Sequence, residues 1–346
     1  MCDTVESVAF FNYLIDKNFQ LEKGLLMLRK IGYFGLAVVV MVSALSGCRR
    51  QATTSEGKLK VVATTTIVGD VVRQIGGDAI ELTVLLPVGS DPHAFSPAPR
   101  DVAAISAAEV VFINGAGLEE FLTELLENAG KQVETVDLSE GLTLLEFADA
   151  AHEDESHEGE HEDTHEGEHH HDMDPHVWIS PRNVQRWVPA IEQTLSRLDA
   201  ANAKKYQANA AAYQSELTTL DAWIVEQIAQ IPETRRVLVT DHQLFGYFAA
   251  HYGLEQLGAV VPGYSTLAQP SAQELAALED AIRAYNVPAI LVGNTVNPAL
   301  AQRLAEDTGV QLVFIYTGSL TAADGDAPTY LAYMRYNVNA IVTALK

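Results

Sequence analysis

The sequence predicts an α/β protein with two lobes, each containing a mostly parallel sheet flanked by helices, separated by a long helix. Two observations predict this fold. Short apolar runs alternate with helix-like runs in the first and last parts of the chain, and such alternation favours parallel sheets covered on both faces. Between these parts lies a stretch rich in Ala, Gln, Leu and Glu with few helix-breaking residues, which is typical of a long helix.

The first lobe is predicted from three strands that alternate with three helices. The strand candidates are short apolar runs at Leu59–Thr64, Ile80–Leu86 and Val110–Asn114. The helix candidates are Ile67–Ile75, Pro99–Ala107 and the amphipathic segment Leu118–Asn128. Proline suits the first position of the second helix.

The second lobe follows a helical region that runs from Pro181 to about Ile231, with an interruption near 199–202 left open. Strand-like and helix-like runs then alternate again. The strand candidates are Val237–Thr240, Leu254–Val261, Ala289–Val292 and Gln311–Tyr316. The helix candidates are Leu244–Tyr252, Ser271–Tyr285, Pro298–Asp307 and Tyr330–Leu345, with Ser271 placed as an N-cap.

The N-terminal segment has the pattern of an export signal. Arg29 and Lys30 precede an apolar run at 31–47, which is shorter than the about 20 residues that span a bilayer as a helix. The run ends in Leu45-Ser46-Gly47-Cys48, which resembles a bacterial lipobox, so we expect lipidation at Cys48 and a signal peptide over 1–47. A single transmembrane anchor is the alternative. Because Met27 would begin an ordinary signal, residues 1–26 are interpreted as an artefactual extension.

The charge of the chain excludes one class of partner. The chain has 22 Lys and Arg against 46 Asp and Glu, a net charge of -24. Nucleic acid is therefore not expected as a partner, because phosphate binding needs clustered basic residues. Both cysteines, Cys2 and Cys48, precede the predicted lobes, so neither a disulfide framework nor a thiolate metal site is expected.

Three histidines occupy positions that favour a metal site. His93 follows an apolar strand, and His242 follows the strand Val237–Thr240; ligands bind at such carboxyl ends of strands. His176 lies between the lobes, and the sequence Asp-Pro-His precedes an X-aromatic pair at both 91–95 and 174–178. Proline restricts the backbone before each ligand, and the aspartate could accept the second imidazole N–H. No metal role is expected for His251.

A segment between the lobes is composed almost wholly of Glu, Asp, His and Gly. Its histidines recur at every fourth residue and end in three consecutive positions: His157, His161, His165, His169, His170 and His171. We expect a disordered loop that gathers zinc weakly as an auxiliary site, with a solvated acidic linker as the alternative. The H-E-x-x-H matches here are interpreted as accidental, because the segment lacks the apolar neighbours of a catalytic helix.

These features predict five segments along the chain. They are a signal peptide at 1–47, an N-terminal α/β lobe at 58–150, the histidine- and acid-rich loop at 151–174, a mainly helical region with the linking helix at 175–231, and a C-terminal α/β lobe at 232–346.

Several motifs together resemble the zinc/manganese group of ABC-transporter solute-binding proteins. The motifs are Asp91-Pro92-His93, Asn114-Gly115-Ala116-Gly117-Leu118-Glu119, Asp174-Pro175-His176-Val177-Trp178, His242-Gln243-Leu244-Phe245-Gly246-Tyr247-Phe248, Gln269-Pro270-Ser271-Ala272 and Tyr333-Met334-Arg335-Tyr336-Asn337. The resemblance implies two lobes joined by one rigid helix, with metal held in the cleft by His93, His176 and His242.

The resemblance also implies a function without catalysis. The expected protein is a monomeric, extracytoplasmic lipoprotein that binds metal with high affinity and delivers it to the permease of an ABC importer. It would touch the membrane only through its lipid anchor. A surface adhesin or metal store, and a secreted zinc hydrolase, are the rival hypotheses.

The fourth ligand departs from the family pattern. Many members place a carboxylate after the last strand, where this chain has Gly318. Water or hydroxide, Asp324 or Asp326 are the open alternatives. Because imidazole suits zinc whereas manganese favours oxygen ligands, three histidines predict Zn²⁺, with a manganese-binding member of the same family as the alternative.

Overall fold

Residues 57–130, 132–146 and 173–346 are described by a computed structural model of the protein. The predicted signal peptide with its lipidation site at Cys48 lies outside these residues, and so do the loop histidines from His157 to His171. No helix in the described ranges combines the length and the apolar content needed to cross a bilayer.

The first lobe contains a four-stranded parallel sheet. Its strands are β1 Leu59–Ala63, β2 Ile80–Val84, β3 Val110–Ile113 and β4 Glu134–Asp137, in the order β2-β1-β3-β4. Its helices are α1 Thr66–Gly76, α2 Pro99–Ala107 and α3 Leu122–Asn128. The edge strand β4 was not predicted, because it is short, bears an acidic residue at each end and joins β3 through backbone pairing.

The third helix begins at Leu122 rather than at the predicted Leu118. The preceding residues Gly115, Ala116 and Gly117 all have positive φ angles, of 80°, 53° and 82°. The Glu119 side chain turns back to accept hydrogen bonds from the Asn114 and Gly115 N–H groups, so residues 114–119 form a loop before α3.

Two helices connect the lobes. They are α4 Pro181–Leu198 and α5 Ala203–Ile228, so the interruption considered near 199–202 is present. The Asp199 carboxylate accepts hydrogen bonds from the Asn202 amide and the Tyr206 hydroxyl, both at 2.7 Å. These bonds stabilise the turn between α4 and α5.

The second lobe repeats the architecture of the first. Its strands are β5 Val237–His242, β6 Glu255–Val261, β7 Ala289–Gly293 and β8 Gln311–Ile315, all parallel and in the order β6-β5-β7-β8. Its helices are α6 Gly246–Tyr252, α7 Ala272–Ala284, α8 Ala299–Thr308 and α9 Tyr330–Leu345. Strand β5 extends beyond the predicted Thr240, so that His242 is its last residue.

The hydrophobic core is continuous between the lobes. One cluster of buried side chains includes Val71 of α1, Trp187 of α4, Leu217 of α5, Phe248 of α6 and Val338 of α9. The long helix α5 packs against α1 of the first lobe and α9 of the second. The predicted fold of two α/β lobes joined by a long helix is therefore confirmed.

Candidate metal centre

Three histidines from distant parts of the chain meet between the lobes. His93 lies in a 3₁₀ turn, Pro92–Ala94, of the first lobe, and His242 ends β5 of the second. His176 precedes another such turn, Val177–Ile179. Within the described ranges, these residues form the group whose potential ligand atoms all lie within 4.8 Å of one another.

The ring nitrogens are spaced as expected for ligands of one ion. The His176 Nε2 atom lies 3.1 Å from His93 Nε2 and 3.2 Å from His242 Nε2. Two nitrogens bound at about 2.0–2.1 Å to one tetrahedral zinc would lie about 3.3 Å apart. The three rings can therefore share one ion with little movement.

Aspartates fix two of the three rings. The Nδ1 atom of His176 lies 2.8 Å from Asp174 Oδ1, and that of His242 lies 2.7 Å from Asp241 Oδ1. A carboxylate at Nδ1 keeps the proton there and leaves the Nε2 lone pair free for a metal. The ring partner of His242 is thus the adjacent aspartate.

Asp91 supports His93 in a different way. Its Oδ1 atom accepts a hydrogen bond from the His93 backbone N–H at 3.0 Å, and its Oδ2 atom accepts one from the Thr266 hydroxyl at 2.6 Å. Thr266 belongs to the second lobe, so the turn that carries His93 is held from across the cleft.

Burial favours the neutral form of two of the site histidines, His93 and His176. Burial lowers the pKa of His93 to about 4, and the nearby His242 reinforces this effect. Burial also lowers the pKa of His176 well below its usual value, and raises that of the Asp174 carboxyl to about 7. Neutral imidazole is the form that coordinates metal.

The walls of the site leave no room for a side chain at position 318. The site is lined beside the histidines by Asp91, Pro92, Trp178, Thr295, Thr317 and Gly318. A Cβ atom on Gly318 would lie 2.6 Å from Pro92 Cδ, closer than van der Waals contact allows.

The two candidate carboxylates for the fourth position lie elsewhere. Asp324 and Asp326 are exposed and do not line the site. His251 is also remote from it and has its Nδ1 atom 2.5 Å from the Ser180 hydroxyl.

Two aromatic rings face the His176 ring: Trp178, the aromatic residue of the Asp-Pro-His motif, and Tyr264, which sequence reasoning missed. Their centroid distances are 5.2 and 6.0 Å. The position of Asp241, directly before His242, could have indicated its role as partner of that ring. The Thr266–Asp91 contact could not be predicted, because those residues are far apart in the sequence.

The class of protein follows from the fold and the site together. The chain has two α/β lobes joined by a long helix, and three imidazoles converge in the cleft, as in a two-lobed binding protein with a site for a divalent metal ion. The chain belongs to the family described as "Zinc-uptake complex component A periplasmic", whose model matches residues 61–344.

Curated relatives cover nearly the whole chain. It is 30% identical over 314 residues to the manganese-binding lipoprotein MntA of Halalkalibacterium halodurans, covering 90% of this chain and 97% of that protein. It is also 30% identical over 318 residues to the manganese ABC transporter substrate-binding lipoprotein PsaA of Streptococcus pneumoniae serotype 4, covering 90% and 96%.

Solved structures share the fold. The periplasmic zinc-binding protein TroA of Treponema pallidum matches with a TM-score of 0.71 and 26% identity, covering 84% of this chain and 99% of that one. A manganese-bound periplasmic protein of Candidatus Liberibacter asiaticus matches in fold, with a TM-score of 0.70 and 24% identity, covering 84% and 100%.

Family membership defines the general function. The chain is an extracytoplasmic metal-binding protein of an ABC importer, and its partners are a divalent metal ion and the importer's permease. It is a binding protein rather than an enzyme, which removes the zinc hydrolase hypothesis. Relatives are named for zinc and for manganese, so their names leave the metal open.

Proposed function

We propose that this protein captures Zn²⁺ with His93, His176 and His242 and delivers it to the permease. The observation that carries the proposal is the composition of the site: the clustered potential ligands in the described ranges are three imidazoles without a carboxylate. Imidazole nitrogen suits zinc, whereas manganese favours carboxylate and water oxygens.

Manganese is the second candidate, favoured by the names of the curated relatives MntA and PsaA. Nearby carboxylates argue against it, because Asp174 and Asp241 each hold a histidine ring. Turning either carboxylate to the ion would release the histidine that it orients.

Water or hydroxide completes the shell in this proposal. The lack of space at Gly318 and the exposure of Asp324 and Asp326 support that choice. A fourth small ligand would give zinc its usual tetrahedral coordination.

Three further parts of the proposal concern the setting of the site. We propose a lipid anchor at Cys48, which the lipoprotein names of the relatives support. Auxiliary zinc binding by the loop histidines, His157 to His171, stays a prediction. So does action as a monomer.

Metal competition tests the proposal directly. We expect the protein to bind zinc more tightly than manganese in chelator competition, and a triple His→Ala variant at 93, 176 and 242 to lose the tight site. His251→Ala is the matched control and should bind as the parent does. All variants should also be measured without residues 153–172, which separates loop zinc from cleft zinc. Preference for manganese, or tight zinc binding by the triple variant, would contradict the proposal.

A further inference from the structure

Residues 114–119 form a tightly bonded loop next to the metal centre, called the 114–119 loop below. The Glu119 carboxylate is buried and accepts hydrogen bonds from the backbone N–H groups of Asn114 and Gly115, at 2.8 and 3.0 Å, and from the Thr64 hydroxyl at 2.6 Å. Ala116 has a φ angle of 53°, which is unfavourable for a residue with a side chain. The bonds to Glu119 close the loop in spite of this strain.

Asn114 connects the 114–119 loop to the histidine segment. Its side chain is fully buried, at 0% exposure, and its Nδ2 atom donates to the Gly115 and Pro175 carbonyl oxygens, each at 2.9 Å. Pro175 directly precedes His176. The peptide that leads into His176 is therefore held by the first lobe.

His176 is thus constrained at two points. Asp174 holds both its backbone N–H, at 2.9 Å, and its ring Nδ1, at 2.8 Å. Those bonds fix the ring relative to its own segment, whereas the Asn114–Pro175 bond fixes that segment relative to the first lobe, which carries His93. The distance between the two rings depends on this second constraint.

We propose that Asn114 is a positioning residue for the metal centre and that the 114–119 loop is its rigid support. The inference rests on the proposed ligand role of His176. Without the Asn114 amide, the Pro175 carbonyl keeps the bond from the Val177 N–H, at 2.9 Å within its own turn, but the segment loses this hydrogen bond to the first lobe and can shift. The His176 Nε2 atom then moves relative to His93 Nε2. Removal of such an outer partner typically lowers metal affinity about 10- to 100-fold.

Asn114→Ala tests the proposal in the full chain. We expect zinc affinity, measured by chelator competition, to fall about 10- to 100-fold. We also expect the visible absorption bands of bound Co²⁺ to change in position or intensity, because these bands report ligand geometry. Asn209→Ala is the matched control. It removes an amide-to-carbonyl bond of equal length, 2.9 Å to Ile75, between α5 and α1, away from the site, and should leave both readouts unchanged.

Two further variants keep the result interpretable. Asn114→Ser retains a buried polar group that is one bond too short to reach Pro175, so it replaces the alanine variant if that one does not fold. Parent-like zinc affinity and Co²⁺ spectra in a folded Asn114 variant would overturn the proposal. His176→Ala separates the proposed ligand role of His176 from the proposed positioning role of Asn114. If this variant binds zinc as the parent does, the ligand assignment fails. If it loses binding while Asn114→Ala does not, only the positioning role fails.

Discussion

At the scale of single residues, the Asp241 side chain accepts three hydrogen bonds, two of them from His242. Its Oδ1 atom accepts from both the backbone N–H and the ring Nδ1 of His242, each at 2.7 Å, and its Oδ2 atom accepts from the Gly293 N–H at 2.5 Å. An asparagine cannot replace all of these acceptors, because its NH₂ group would face an N–H group. The ring of His242 would then lose a defined orientation.

Asp241→Asn should therefore weaken zinc binding about 10- to 100-fold. Chelator competition measures the change. The control is Asp221→Asn, which alters a half-buried aspartate bonded to Arg182 and Tyr252 outside the site. Equal affinity losses in the two variants would mean that the effect is not specific to His242.

Glu119 predicts a pH dependence of stability. Burial raises its pKa from 4.5 to about 7, against the hydrogen bonds from Thr64, Asn114 and Gly115. The pKa of Glu119 is higher in the folded state than in the unfolded state. Protonated Glu119 therefore contributes stability that is fully present below about pH 4.5 and is lost as the pH rises through about 7. This contribution is on the order of 3 kcal/mol.

Glu119→Gln removes that titration. We expect the free energy of unfolding of the metal-free parent to fall relative to the variant between pH 5 and pH 8. Urea denaturation at unit pH intervals measures the difference, in which all other titrating groups cancel. Parallel pH profiles for the two proteins would contradict the raised pKa.

At the scale of secondary-structure elements, the loop between β6 and α7 holds the site across the cleft. This loop carries Thr266, whose hydroxyl donates to Asp91 Oδ2 at 2.6 Å, and Tyr264, whose ring faces His176. Asp91 in turn bonds the backbone of His93. The loop therefore couples closure of the lobes to the position of one proposed ligand.

Thr266→Val should accelerate zinc release roughly tenfold, the effect expected for loss of one hydrogen bond to a charged group. Stopped-flow mixing of the zinc-loaded protein with excess chelator measures the rate. Thr266→Ser should restore slow release because it keeps the hydroxyl. The control Thr308→Val removes a hydroxyl that bonds within α8 and should leave the rate unchanged; an unchanged rate in Thr266→Val would reject the coupling.

At the scale of the whole molecule, the lobes share one core around α5. Leu217 of α5 is fully buried in the cluster that also contains side chains of α1 and α9. A cavity in this helix should therefore weaken both lobes together. Movement between the lobes is expected to be small, because a large rotation would separate packed apolar surfaces.

Leu217→Ala should lower the free energy of unfolding by about 2–5 kcal/mol. We expect one unfolding transition by both tryptophan fluorescence and far-UV circular dichroism. Leu267→Ala, at a side chain that is 62% exposed, is the control and should change stability by less than about 0.5 kcal/mol. Separate transitions for the two probes would show that the lobes unfold independently.

Most elements were predictable because their signals are local. The alternation of apolar runs predicted seven of the eight strands, and Asp-Pro-His pointed to His93 and His176. Strand β4 escaped prediction because its pattern, Glu134-Thr135-Val136-Asp137, has little apolar content and depends on β3 as its partner. The start of α3 was misplaced because Glu119 accepts hydrogen bonds from the Asn114 and Gly115 N–H groups and so belongs to the loop before the helix.

The sequence by itself determined the fold class, the family motifs and the three histidines proposed as ligands, because residue type and periodicity within short windows carry that information. Only the tertiary structure decided how the rings are held: Asp241 at His242, Asn114 at the peptide before His176, and Thr266 across the cleft at Asp91. The last two contacts join residues 61 and 175 positions apart. A hydrogen bond between distant segments depends on the packing of both lobes, and no short window of sequence encodes that packing.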